Sequence, residues 1–70
     1  MRIPFDSVFQ VNQDNSLDLR LRIRVGGITL APGTKLLPGQ VISGIDFTRY
    51  RGRELEADTE GDVYIIKAIY

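Results

Sequence analysis

The chain has 70 residues, 43% hydrophobic and 26% charged, with nine basic side chains against nine acidic ones and neither histidine nor cysteine. This excludes disulfides, withholds the residue types of a structural zinc site, and removes the usual general base and the thiol nucleophile. A single small β-rich domain over residues 1–70 is expected; it would bury only roughly 60% of its unfolded surface, which leaves a second subunit as the remaining source of stability.

The first residues, Met1-Arg2-Ile3-Pro4-Phe5-Asp6, hold no apolar stretch of the secretory kind. Ser7-Val8-Phe9-Gln10-Val11 reads as a short strand, and Asn12-Gln13-Asp14-Asn15-Ser16 as the turn that leads out of it. From Leu17 to Val25 the pattern alternates strictly. Leu17, Leu19, Leu21, Ile23 and Val25 take the odd positions, and Asp18, Arg20, Arg22 and Arg24 the even ones. This predicts a half-buried strand, apolar face inward, closing an antiparallel hairpin.

The middle of the chain repeats every six residues. Gly27, Gly33 and Gly39 share that spacing, as do Pro32 and Pro38, and Leu30, Leu36 and Ile42. From Gly27 to Gly44 the stretch resembles the hexapeptide repeat of left-handed β-helices, in which an aliphatic residue points inward on each short strand and small residues turn the corners. The resemblance implies about one coil, which cannot bury its own core and must stack on the hairpins or on other copies. Transferases with such repeats use many coils and usually a histidine, so no activity carries over. The other reading is two Pro-Gly turns joining strands of a small barrel, proline second and glycine third in each.

Asp46 is placed to cap one or two helical turns within 46–51, with Phe47 and Tyr50 on one face and Gly52 as the stop. Glu54-Leu55-Glu56-Ala57 and the turn Asp58-Thr59-Glu60-Gly61-Asp62 begin a second hairpin. It closes with Val63-Tyr64-Ile65-Ile66-Lys67-Ala68-Ile69-Tyr70, β-branched and aromatic and hence a strand. Strict alternation places Val63, Ile65 and Ile69 on one face, and Tyr64, Ile66, Ala68 and Tyr70 on the other. A strand apolar on both faces is covered on two sides or meets another subunit. Its longest apolar run, Val63 to Ile66, is far below the roughly 20 residues of a membrane helix. The fold class expected is all-β: a small barrel or roll of two hairpins, a Pro-Gly-rich middle and one helical turn. A soluble, cytoplasmic protein is expected.

Little in the chain supports catalysis. Ser7, Ser16 and Ser43 have no histidine to activate them, and Gly26-Gly27 lacks the rest of a phosphate-cradling loop. Glu54, Glu56, Asp58, Glu60 and Asp62 alternate as a solvated strand face does, and the acidic tip lacks the closing glutamate of a calcium loop. No enzymatic activity, metal or cofactor is expected.

The balanced charge hides a segregated chain. Residues 1–18 carry a net −2, residues 19–53 a net +6 and residues 54–70 a net −4. Two uses of the Arg20, Arg22 and Arg24 stripe follow. It pairs with the Glu54, Glu56 and Asp58 ladder within or between subunits, or it joins Arg49, Tyr50, Arg51 and Arg53 in holding single-stranded nucleic acid. Pairing is favoured, because a dedicated nucleic-acid binder this small would be net basic. The expected function is a non-catalytic structural or protein-interaction module that self-associates as a dimer or trimer. Its predicted surface is Arg20, Arg22, Arg24, Tyr64, Ile66 and Tyr70, and another protein is the alternative partner.

Overall fold

The computed structural model describes every residue from Met1 to Tyr70, and the chain is β-dominated, with two sheets. The larger sheet orders its five strands β1-β7-β8-β4-β5: β1 Arg2–Pro4, β7 Glu54–Glu60, β8 Val63–Ile69, β4 Arg22–Val25 and β5 Ile28–Leu30. The smaller orders three, β2 Phe9–Val11, β3 Leu17–Leu19 and β6 Lys35–Leu36, all antiparallel. No helix is long and apolar enough to cross a membrane.

The alternating segment Leu17 to Val25 forms β3 and β4 with a break at Arg20 and Leu21, so one run of sequence serves both sheets. Its inward pattern survives the break: Leu17, Leu19, Ile23 and Val25 are buried, and Leu21 packs partly on the same core. Alternation encodes which side a residue faces, not which strand it pairs with, and the bend turns that side onto a second sheet. The first expected strand is also shorter. Phe5–Val8 forms a single helical turn, α1, because residues three apart on a turn bury Phe5 and Val8 together; β2 then starts at Phe9.

Twelve apolar residues from both sheets and the connecting turns form one core. Phe9 sits at its centre, with its ring centroid 4.7 Å from Phe5 and 5.2 Å from Phe47, both tilted. Phe47 begins the 3₁₀ turn Phe47–Tyr50, capped as expected by Asp46, whose carboxylate accepts from the Thr48 backbone N–H at 3.1 Å.

The Pro-Gly steps are tight turns. Thr34 N–H donates to the Ala31 carbonyl at 3.2 Å, Gln40 N–H to the Leu37 carbonyl at 3.0 Å, and Gly33 and Gly39 take the positive φ such turns demand. The strands beside them, β5 and β6, pair antiparallel with β4 and β3 in different sheets. The β4–β5 connection is a two-residue turn, Gly26-Gly27, pressed against Ser43. A Cβ on Gly26 would lie 2.3 Å from the Ser43 hydroxyl oxygen.

β7 runs through Glu60, so the second hairpin turns only at Gly61 and Asp62 rather than across Asp58–Asp62. β8 then inserts between β7 and β4, antiparallel to the first and parallel to the second.

Candidate interaction surface

Residues paired in register across neighbouring strands point to the same side of a sheet. The pairs Ile23 with Tyr64 and Ala57 with Ile66 therefore mark the core side, where Ile23, Ala57 and Ile66 are buried. Two rows of three lie side by side on the outer side. Arg22, Val63 and Glu60 form one, and Arg24, Ile65 and Asp58 the next. Each row runs basic, apolar, acidic from β4 across β8 to β7.

The register of β7 against β8 shifts between Glu56 and Ala57, and this bulge inserts an extra residue into β8 at Lys67. The expected faces change in consequence. Beyond the bulge Ile69 joins Tyr64 and Ile66 on the core side, while Ala68 and Tyr70 stay outward. Three residues of the predicted surface thus separate. Ile66 is buried, Tyr64 packs partly on the core, and Tyr70 is exposed beneath the guanidinium of Arg2, 4.0 Å from its ring centroid. The outward strip of β8 is instead Val63, Ile65 and Ala68, all half-buried. Val63 and Ile65 could be read from sequence as one face; the bulge that settles which face is free carries no local signature.

The arginines are positioned by the same strands. Arg22 and Arg24 project from β4, and Arg20 is exposed at the break before it. Within the chain they do not pair with Glu54, Glu56 or Asp58, because β8 intervenes. Glu54 meets Arg2 at 3.1 Å, Glu56 accepts from the Met1 amino group at 2.6 Å, and Asp58 faces Lys67 at 3.6 Å. Arg22 reaches Asp62 at 3.8 Å, between two exposed side chains. Such exposed pairs contribute about 0–1 kcal/mol each. Arg20, Arg24 and Glu60 have no ion pair at all. No three carboxylates converge as a metal site would require.

The second arginine group lies apart from this face. Arg49 and Arg51 border a shallow cleft with Thr48 and Gly52, and Arg51 donates to the Asn15 side chain at 2.9 Å. Arg53 lies on the far side of Gly52, beside Asp6 and Glu54. Tyr50 turns away from them onto the core, where it borders an apolar cleft of about 230 Å³ with Val25, Ile45 and Ile66. The structure therefore does not assemble Arg49, Tyr50, Arg51 and Arg53 into one exposed aromatic and basic platform.

Two carboxyl groups are shifted, both downward from the ordinary aspartate value of 3.8. Asp46 is lowered first by the hydroxyl of Thr48, and Asp14 first by the hydroxyl of Ser16; backbone N–H donors assist both. Each closes a turn and lies away from the outer rows. Compared with known proteins, the chain matches no family model, no curated protein and no solved structure.

Proposed function

We propose that this protein is a non-catalytic structural or interaction module that self-associates through β-strand surfaces. The observation that carries this reading is the central strand β8, which feeds the core with Ile66 and turns Val63, Ile65 and Ala68 outward in the same sheet. A sheet interior that is apolar on both sides gains by being covered on both. Only 13 of 70 residues are buried, so a second copy would add to a small core. A cytoplasmic setting and a small barrel-like or roll-like wrapping of the two sheets complete the reading. Sedimentation equilibrium across micromolar to millimolar concentrations tests it. A folded species heavier than 7.9 kDa supports association, and a folded monomer throughout overturns it.

A second reading is a small single-stranded nucleic-acid binder that uses Arg20, Arg22 and Arg24. It draws on Arg20 and Arg24, whose guanidinium groups have no carboxylate partner. Fluorescence anisotropy with a labelled oligonucleotide at low salt decides it, since no binding there removes the reading.

A further inference from the structure

Resting on the self-association reading, we propose that the outer face of the larger sheet is the interface of a two-fold symmetric dimer whose axis runs parallel to β8. The symmetry follows from the order of charge along the rows. Two copies stacked face to face are related by a two-fold axis lying between their sheets. An axis parallel to β8 exchanges the two flanks. Arg24 of one copy then lies over Asp58 of the other at the level of Ile65, and Arg22 over Glu60 at the level of Val63. An axis at right angles to β8 keeps each flank over itself, arginine on arginine and carboxylate on carboxylate. Like-charge contact disfavours that arrangement, so the charge order selects the first.

Reach and area agree with this geometry. Sheets packed face to face stand about 10 Å apart, a gap that arginine and glutamate side chains span from opposite sides while Val63 and Ile65 fill the middle. Inside the chain two of these four charges are unpaired and two are held only by exposed partners. Arg24 and Glu60 have no partner, Arg22 holds Asp62 at 3.8 Å and Asp58 holds Lys67 at 3.6 Å. The molecule extends 31 × 20 × 20 Å. A face of roughly 600 Å² per copy, about 1,200 Å² in all, falls at the lower end of specific interfaces. In such a dimer charge order sets orientation and the apolar strip supplies contact.

Charge reversal tests the face and the axis together. Arg22→Glu with Arg24→Glu makes both flanks of the two rows acidic, and Asp58→Arg with Glu60→Arg makes both basic. All four positions are exposed or half-buried, and circular dichroism of each variant checks that it folds. Each double variant alone is expected to lose at least about tenfold in self-association, and an equimolar mixture to regain it as a heterodimer. The four-fold variant, with both flanks exchanged, is expected to self-associate like the native chain. A native chain that associates while both double variants do so equally well overturns this face and leaves the general reading standing. A native chain that stays monomeric overturns both.

Discussion

Arg24 and Asp58 are the register neighbours of Ile65 from opposite sides, so one row across three strands sets a cation and an anion on either flank of an isoleucine. Two strand spacings put their backbones roughly 9–10 Å apart. Asp58 turns to Lys67 rather than to Arg24. Arg24 is thereby left unpaired inside the chain, and the opposite charges of the two flanks set the salt response of any association through that face.

Self-association is expected to weaken as sodium chloride rises from 0.05 to 1 M, by about tenfold or more, because the screening length falls to about 3 Å at the upper end. Sedimentation velocity at fixed protein concentration measures it. Association that strengthens or holds constant over that range would indicate purely apolar contact instead.

Gly26→Ala is expected to destabilise the fold by roughly 1–3 kcal/mol. It puts a methyl group 2.3 Å from the Ser43 hydroxyl oxygen, at a backbone φ of +61° that favours glycine. Gly27→Ala meets nothing within 4 Å and is expected to stay within about 0.5 kcal/mol of the native chain. Urea unfolding of the two variants side by side separates them.

Phe9→Ala is expected to cost about 3–5 kcal/mol, since the ring is fully buried between Phe5 and Phe47 and its loss leaves a cavity. For a domain of this size that is most of the total, and the variant should show poorly dispersed amide resonances at 25 °C. Leu37→Ala, at a position 52% exposed, should leave the spectrum and the unfolding midpoint nearly unchanged.

Asp14 and Asp46 both have folded pKa values below the 3.8 of the unfolded chain. A lowered folded pKa adds stability that is fully present above the unfolded value and is lost as pH falls through the folded one. Their contribution is therefore flat from pH 7 to about pH 5 and declines below about pH 4. Urea midpoints at pH 7, 5 and 3 measure the decline. Asp14→Asn with Asp46→Asn, which keeps an acceptor oxygen at each turn, is expected to flatten it, and an unaltered acid limb would count against these two groups.

Much of the fold is legible in side-chain order. The alternation from Leu17 to Val25 places four of the five odd residues in the core and Leu21 against it, and Asp46 before Phe47 marks the 3₁₀ turn with its cap. Charge segregation is also plain, since Arg22 and Arg24 lie on one flank and Asp58 and Glu60 on the other. What lies outside that order is who neighbours whom. Nothing local announces that β8 inserts between β7 and β4, so the arginines and the acidic ladder read as direct partners when a strand separates them. The extra residue at Lys67 is equally silent, yet it reverses the parity of everything after it and divides Tyr64 from Tyr70. The bend at Arg20 and Leu21 and the single turn Phe5–Val8 are answers to burial in three dimensions, which periodicity alone does not encode.

The parallel pairing of β4 with β8 also governs how the chain reaches its fold. Arg22 and Val63, partners in register, lie 41 positions apart, and the strand that completes the sheet follows every other strand in the chain. The β4–β5 hairpin can form early, but it stays unattached to β1 and β7 until β8 arrives between them. Loop closure over that distance has to precede the contacts that reward it, which places assembly of this small domain among the slower folders of its length. Until then the apolar strip of β8 and the bare edges of its future neighbours are open together, the interval in which mispairing between chains competes with folding.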